Sequence, residues 1–205
     1  MGQATSIVRT GRKFAQVLAG ARQVFLSDGF EGASVDDIAR VAGVSKATLY
    51  SYFPDKRQLF MEVANSECTM MADRALELIG EGKPPREVLC IAASQLVRFM
   101  ISDFAMQCFR ICVAERDRFP ELGQAFYTAG PEMGRKRICE YFVDACARGE
   151  LIIEDVDMAA EQFSELCKVR LWTRAVLGIQ EVFSEAEIED VVENAVDTFL
   201  ARFGA

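Results

Sequence analysis

A cluster of cationic and hydroxyl side chains between residues 45 and 52 is the part of this sequence best suited to chemistry. Six such residues occur there before the first carboxylate, Asp55: Ser45, Lys46, Thr48, Tyr50, Ser51 and Tyr52. Ammonium and hydroxyl groups donate hydrogen bonds to phosphates and base edges, whereas phosphates repel carboxylates. The cluster therefore favours contact with nucleic acid.

Enzyme chemistry is largely excluded because the chain contains no histidine. Serine or cysteine nucleophiles activated by imidazole, histidine metal ligands and imidazole pH switches cannot be built. A phosphate-binding glycine loop is also missing, since no glycine stands five residues before Gly82 in Gly80-Glu81-Gly82-Lys83, which is interpreted as a linker. We expect no catalytic residue and no cofactor, and a small hydrolase or transferase is a minor alternative.

Seven cysteines, an odd number, are expected to be reduced thiols rather than a disulfide framework. Cys108 and Cys112 are four residues apart and share a helical face, as do Cys139 and Cys146. Such pairs suit a soft metal or an oxidant sensor, and Arg110 would lower a nearby thiol pKa. Their apolar neighbours favour inert packing, so we expect no metal site.

The net charge of −8 is unevenly distributed along the chain. Residues 1–60 carry a net charge of +3 and the remaining residues carry −11. This asymmetry predicts a small electropositive domain, residues 1–60, attached to an acidic domain, residues 61–205.

The apolar content, 51%, is typical of a globular protein that folds around a core. The longest uncharged stretches, Val88–Val97 and Leu122–Pro131, hold ten residues each, about half of the ~20 that cross a bilayer as a helix. Met1–Lys13 contains no apolar run of the secretory type. We therefore expect a cytoplasmic protein without a membrane partner.

Apolar residues recur with a period of 3.6 throughout, which predicts an all-α fold. The first domain is predicted to contain three helices: Thr10–Ser27 ended by Asp28-Gly29, Val35–Ala42 between the cap Ser34 and Gly43, and Lys46–Tyr52 between the cap Ser45 and Phe53-Pro54.

The second domain is predicted to be a helical bundle that begins with a long fourth helix. The predicted helices are Lys56–Ile79 after the cap Asp55, Pro85–Ser102, Asp103–Arg116, Pro120–Ala129, Pro131 to Gly149, Met158–Leu177 between the cap Asp157 and Gly178, and a final helix from Ser184 to Phe203 with a Ser184/Glu187 capping box.

Residues Val35–Ser51 match the spacing of a helix-turn-helix. Ala39, Gly43 and Leu49 occupy its positions 5, 9 and 15. A small residue lets the second helix cross, glycine permits the left-handed turn, and leucine buries the inner face against Phe14, Val17 and Phe25. A plain helical hairpin shares the pattern, but the carboxylate-free outer face favours DNA binding. Lys56, in the first turn of the fourth helix, opposes the helix dipole and suits a phosphate.

Residues 30–56 resemble the TetR family signature. Their sequence is Phe30-Glu31-Gly32-Ala33-Ser34-Val35-Asp36-Asp37-Ile38-Ala39-Arg40-Val41-Ala42-Gly43-Val44-Ser45-Lys46-Ala47-Thr48-Leu49-Tyr50-Ser51-Tyr52-Phe53-Pro54-Asp55-Lys56. The resemblance implies that the third helix enters the major groove, with Lys46, Ala47 and Tyr50 approaching bases. It implies phosphate contacts for the positions Ser34, Ser45, Thr48, Tyr50, Tyr52 and Lys56. Ser51 departs from the larger residue that many members carry.

Residues Ala114–Leu151 are similar, more loosely, to the C-terminal domain of the AefR-like and AcrR-like branch. The resemblance implies a homodimeric repressor released by a small molecule held in a cavity. The aromatic content of the middle helices predicts a largely apolar effector in contact with Phe99, Phe104, Phe109, Tyr127 and Trp172, although each ring alone is typical of a packed core. Candidate polar anchors are Arg98, Arg110, Glu115 and Arg116.

Two long apolar helix faces within residues 158–203 predict a homodimer seam, with a packed intrachain core as the alternative. The residues assigned to this seam are Phe163, Leu166, Leu171, Val176, Ile188, Val191, Val192, Ala195, Phe199 and Leu200.

Together these features predict a three-helix helix-turn-helix domain followed by a helical-bundle domain for ligand binding and dimerisation. The predicted function is a transcriptional repressor that binds a palindromic double-stranded DNA operator as a homodimer and is released by a small-molecule effector, with the fourth helix as the lever. The alternative is a helical ligand-binding or scaffold protein without DNA function.

Overall fold

The computed structural model describes residues 11–79 and 82–205 as an all-α protein. Its helices are α1 (Arg12–Gly32), α2 (Val35–Ala42), α3 (Lys46–Tyr52), α4 (Lys56–Ile79), α5 (Pro85–Met100), α6 (Asp103–Ala114), α7 (Pro120–Tyr127), a π turn (Thr128–Glu132), α8 (Met133–Ala147), α9 (Val156–Leu166), α10 (Trp172–Val176) and α11 (Glu185–Phe203). Some predicted features lie outside the described residues: most of Met1–Lys13, the predicted helix start Thr10, and the linker residues Gly80 and Glu81.

The predicted all-α class is confirmed, and the only β feature of the described residues is an isolated bridge between Leu151 and Gly204. Among the same residues, no single helix combines the length and apolar character of a bilayer span, although α5 and α6 satisfy both criteria as a pair bent by 60°.

The helix-turn-helix forms with the predicted boundaries because its local signals are complete. Ser34 Oγ accepts a hydrogen bond from the Asp37 backbone N–H at 3.0 Å, and Ser45 Oγ accepts one from the Thr48 N–H at 3.1 Å. Gly43 takes the left-handed conformation between the helices, with φ 65° and ψ 33°. These caps satisfy helix-end groups that would otherwise lack partners.

Close packing of α1 on α2 depends on a glycine that the sequence analysis did not single out. A Cβ atom added to Gly20 would lie 2.7 Å from the backbone nitrogen of Ala42 and 2.8 Å from its Cβ. Real Cβ atoms do not approach other heavy atoms this closely, so the two helix backbones can meet only at a glycine. Gly20 therefore sets the position of the helix-turn-helix on α1.

The core of the helix-turn-helix continues into the rest of the chain. Leu49 is buried with Phe14, Val17 and Phe25, as predicted, and the same cluster includes Phe60 of α4. Phe104 and Cys108 of α6 also belong to it. Helices α4 and α6 therefore connect the helix-turn-helix to the body through apolar packing.

The second core lies between α5, α8, α9 and α11 and centres on three phenylalanines. The Phe142 and Phe199 rings stack with centroids 4.9 Å apart, and Phe163 packs edge-on against Phe199 at 5.2 Å. Most residues assigned to a dimer seam are buried here within one chain: Phe163, Leu171, Ile188, Val191, Val192, Ala195 and Phe199. Helices α5 and α8 cover these faces, so for these seven residues the structure agrees with the alternative, a packed intrachain core.

The segment predicted as one helix from Met158 to Leu177 is two helices. Asp155, not Asp157, is the N-cap, because its carboxylate accepts from the Met158 backbone N–H at 2.9 Å while Asp157 pairs with Arg135. Helix α9 then ends at Leu166, and the turn before α10 contains Arg170, which has a positive φ of 66° and donates to Asp190 of α11 at 2.8 Å. Tertiary partners override the local helical pattern at both places.

Candidate DNA-binding surface and ligand cavity

Helix α3 presents the predicted base-contacting residues to solvent. Leu49 is 1% exposed and holds the inner face of the helix against the core. Lys46, Ala47 and Tyr50 lie on the exposed face, and the Tyr50 side chain is 48% exposed. This arrangement matches the shape and polarity that a helix needs in order to enter a major groove.

The cations beside α3 are paired with carboxylates of α2. Lys46 forms an ion pair with Asp36, and Arg40 donates to Asp37 at 2.8 Å. Hydrogen bonds from Arg40 and then from Ser34 hold the pKa of Asp37 below its ordinary value. Both pairs are exposed, so the carboxylates compete only weakly with a phosphate or a base for these cations.

The predicted phosphate-contacting hydroxyls lie at the ends of α2 and α3. Ser34 Oγ donates to Asp37 at 2.6 Å, and the hydroxyls of Ser45 and Thr48 are 2.8 Å apart. Tyr52 is partly buried, with its ring edge-on to Phe14 at 5.7 Å. These residues shape the surface whether or not they touch DNA, and their phosphate contacts stay predictions.

Lys56 has a structural role that the sequence analysis missed. Its ammonium donates to the backbone carbonyls of Phe30 at 2.6 Å, Ala33 at 3.1 Å and Glu31 at 3.4 Å. The ammonium also lies 4.6 Å from the centroid of the Phe30 ring. A cation that appeared misplaced at the start of α4 therefore neutralises the negative end of α1. Its contact with phosphate stays a prediction.

Lys56→Met should lower the free energy of unfolding by about 1.5–3 kcal/mol, because carbonyls at the end of α1 lose a charged donor while the apolar stem is kept. Lys83→Met is the matched control, since among the described residues Lys83 has only an exposed pair with Glu87, and we expect a loss below about 0.5 kcal/mol there. Urea unfolding followed by circular dichroism measures both variants. Equal unfolding midpoints for the two would contradict this role of Lys56.

A cavity of about 430 Å³ lies in the body, between α4 and α10. All five residues predicted to contact an effector are on its wall: Phe99, Phe104, Phe109, Tyr127 and Trp172. Phe109 packs edge-on against Trp172 at 5.1 Å and against Phe126 at 6.1 Å. The volume falls in the range of pockets for small organic molecules.

One wall of the cavity is a π turn rather than the start of a helix. Pro131 was predicted at the first position of a new helix, but it lies inside the π turn that joins α7 to α8 without a break. A π turn widens the helix locally and so accommodates a residue that cannot donate a backbone hydrogen bond. Gly130, Pro131 and Gly134 all line the cavity there.

The polar groups on the cavity wall are not the ones named from the sequence. Arg98 binds Glu185 at 2.8 Å, Arg110 donates to the Ala175 carbonyl at 2.6 Å, Arg116 pairs with Asp117 at 3.3 Å, and Glu115 pairs with Arg118 at 3.5 Å. The structure instead places Arg135, Glu161, Ser164, Glu165 and Lys168 on the wall. Lys168 stands four residues before Trp172, a helical spacing from which it could have been found.

Both halves of the chain match family models. Residues 17–63 match the model described as bacterial regulatory proteins of the tetR family, and residues 87–205 match the AefR-like transcriptional repressor C-terminal domain. The chain belongs to the TetR family. In this family the helix-turn-helix defined by α2 and α3 is the DNA-binding element, and the curated relatives carry the names of transcriptional regulators.

Curated TetR-family relatives match this chain over the DNA-binding region. The repressor AcnR of Corynebacterium efficiens is 34% identical over 62 residues, which cover 30% of this chain and 33% of AcnR. The activator FasR of Mycolicibacterium smegmatis is 44% identical over 48 residues, 23% of this chain and 22% of FasR. The matches thus span a third or less of the length of these two relatives.

Solved TetR-family structures match almost the whole chain. A protein from Mesorhizobium loti assigned to the family has a TM-score of 0.84 and 29% identity, with coverage of 98% of this chain and 100% of that one. The flavonoid-responsive regulator FrrA has a TM-score of 0.73 and 36% identity, with coverage of 95% and 98%. Bacillus subtilis FadR, solved with stearoyl-CoA, has a TM-score of 0.69 at 18% identity and shares the fold.

Four thiols of this TetR-family chain are buried: Cys68, Cys108, Cys112 and Cys167. Burial raises the pKa of Cys68 and of Cys112 to about 11 and that of Cys167 to about 12, and it raises the pKa of Cys108 as well. A thiol with a raised pKa is a poor nucleophile and metal ligand at neutral pH. The described residues contain no group of three or more side chains arranged to hold a metal ion. These properties favour packing over redox sensing.

Proposed function

We propose that this protein is a repressor that binds a palindromic DNA operator as a homodimer and leaves it when a small molecule fills the cavity. The observation that carries the proposal is the pairing of an exposed, carboxylate-free α3 face with an aromatic cavity in the same chain. Residues 1–60 form the DNA-binding domain and residues 61–205 the ligand-binding and dimerisation domain. The protein acts in the cytoplasm and catalyses no reaction.

Lys46, Ala47 and Tyr50 approach base edges in the proposed complex. Ser34, Ser45, Thr48, Tyr52 and Lys56 contact phosphates. The Lys46 ammonium then exchanges Asp36 for a DNA acceptor, and this exchange costs little because both side chains are more than half exposed in the free protein.

The proposed homodimer forms through residues 158–203. Part of the seam assigned from the sequence is buried in the chain's own core, but several apolar side chains of this segment are more than half exposed: Met158, Val169, Leu177, Ile179 and Val182. Burial of such side chains against a second copy is favourable. A two-fold contact would set the two α3 helices about 34 Å apart, one turn of DNA.

The proposed effector is a compact and largely apolar molecule with an aromatic ring system. The cavity wall offers aromatic faces, with Arg135, Ser164 and Lys168 as polar anchors. The flavonoid-responsive name of FrrA supports this class, because FrrA is 36% identical over nearly the whole chain. The stearoyl-CoA bound to FadR is the second class to test.

The function is tested by selecting bound DNA from random duplexes and measuring affinity for the enriched operator. Lys46→Ala and Tyr50→Ala should each weaken specific binding by about 1–3 kcal/mol, roughly 5-fold to 150-fold, because each removes a contact to a base. Arg118→Ala is the control, since its exposed side chain lies on the body. A panel of flavonoids and acyl-CoA molecules is then screened for release of the operator.

If the protein binds a ligand but has no DNA function, the selection should give a different result. No palindrome would be enriched, and Lys46→Ala, Tyr50→Ala and Arg118→Ala would behave alike. Either result contradicts the proposed operator recognition.

A further inference from the structure

Arg57, in the first turn of α4, joins the DNA-binding helices to the body. Its guanidinium donates to Glu121 of α7 at 3.2 Å and to Asp55 at 3.0 Å. The same guanidinium stacks over the Phe119 ring with 4.3 Å to the centroid. One side chain therefore holds the start of α7 against the corner between α3 and α4.

The turn between α3 and α4, which Arg57 contacts through Asp55, sets the orientation of α3. Asp55 caps α4 by accepting from the Gln58 backbone N–H at 2.9 Å. Phe53, two residues before Asp55, is 0% exposed and is the C-cap of α3. A displacement of Asp55 is thus passed directly to the last turn of α3.

The other end of α7 forms part of the cavity wall. Phe126 and Tyr127 line the cavity, about 9–11 Å along the eight-residue helix from Pro120. Near its start, α7 is anchored by Leu122, which is 1% exposed. A short anchored helix moves as a rigid unit, so a ligand that displaces Phe126 or Tyr127 also displaces Phe119 and Glu121.

The π turn after α7 reaches α4 a second time. A Cβ on Gly130 would lie 3.8 Å from Cys68 Sγ, and both residues line the cavity. The unit formed by α7 and the π turn therefore bears on α4 at two points, near Arg57 and near Cys68.

We propose that Arg57, Phe119 and Glu121 form an interdomain latch that transmits the filling of the cavity to α3. The inference rests on the proposed function and adds the path by which a ligand loosens the grip on the operator. The three residues are positioning residues, since none of them lines the cavity or lies on α3. In this proposal α7 is the element that moves, and the latch decides whether α4 follows it.

The test uses the full-length protein, its selected operator and 8-anilinonaphthalene-1-sulfonate as a fluorescent cavity probe. Affinity for the probe is measured with and without operator DNA, with the signal of a Gly134→Phe variant subtracted as binding outside the cavity. The coupling ratio is the probe affinity without operator divided by the probe affinity with operator. By thermodynamic linkage it equals the factor by which the probe weakens operator binding. We expect operator DNA to weaken probe binding by about 5-fold to 150-fold in the unmodified protein.

Arg57→Ala, Phe119→Leu and Glu121→Gln should each bring this ratio close to one while both separate affinities stay near those of the unmodified protein. Arg118→Ala is the matched control, because Arg118 stacks on the same Phe119 ring at 5.3 Å but pairs with Glu115 rather than with α4. It should keep the full ratio.

A full ratio in Arg57→Ala overturns the latch and leaves the proposed function standing. If that variant does not fold, Phe119→Leu and Glu121→Gln decide, and a full ratio in both overturns the latch. Probe bound in the cavity of the unmodified protein without any effect of operator DNA overturns the effector release of the proposed function, and the latch with it.

Discussion

Gly20→Val should abolish operator binding while the cavity keeps its ligand affinity. The first atom of any side chain at this position would lie 2.7–2.9 Å from the nitrogen, Cα and Cβ of Ala42. Two of these atoms are backbone atoms and the third is a Cβ fixed to the backbone, so none of them can move aside unless α2 moves. Helix α2 must shift, and α3 shifts with it because only Gly43–Ser45 separates them.

The expected loss of stability lies at the upper end of the ~1–3 kcal/mol typical of overpacked cores, because valine adds two branches beyond the clashing Cβ. Electrophoretic mobility shift with the selected operator measures the first effect and probe fluorescence the second. Gly123→Val is the matched control, since a Cβ at that helical glycine meets no atom within 4 Å. Operator affinity that survives in Gly20→Val would show that α1 and α2 are free to separate.

The helix-turn-helix could be predicted to the residue because every signal that defines it is local. Ser34 and Ser45 provide caps within their own helices, and Gly43 provides the left-handed turn. The last helix was equally predictable from its Ser184 and Glu187 capping box. The turn between α9 and α10 was not, because Arg170 takes a positive φ there and its partner Asp190 lies on another helix.

The cavity was predictable in its apolar part and not in its polar part. Aromatic residues such as Phe109 and Trp172 face the same interior in most arrangements of amphipathic helices, so their grouping follows from periodicity and from the family resemblance. An arginine becomes an anchor only if it reaches the cavity wall, and Arg98 and Arg110 do not: they are bound by Glu185 and by a carbonyl of α10. Those partners are 87 and 65 residues away in the sequence.

Gly20 and Lys56 show the same limit for the DNA-binding domain. A glycine inside an amphipathic helix is a recognisable hint of close packing, but the sequence does not name its partner. A lysine at a helix start indicates an unusual partner, and a phosphate and the end of another helix satisfy it equally well. Only the contact with the carbonyls of Phe30 and Ala33 shows which of these partners the free protein uses.

Gly134→Phe should produce a protein that no longer responds to any cavity ligand. Gly134 lies on the cavity wall in α8, and a Cβ at this position meets no atom within 4 Å. The added ring therefore enters open space rather than the backbone of a neighbour. Replacing a glycine inside a helix also removes an entropic cost of up to about 1 kcal/mol, so the fold should be at least as stable.

Probe fluorescence and operator release both measure this effect: in Gly134→Phe the fluorescence should fall well below that of the unmodified protein, and added probe should no longer release the operator. Gly123→Phe is the matched control, because Gly123 has the same open surroundings in α7 but lies away from the cavity wall. Normal probe binding in Gly134→Phe would mean that the ligand occupies a site other than this cavity. If Gly134→Phe loses probe binding but keeps full operator affinity, DNA binding does not require an empty cavity. Release would then depend on the displacement of α7 by a bound ligand.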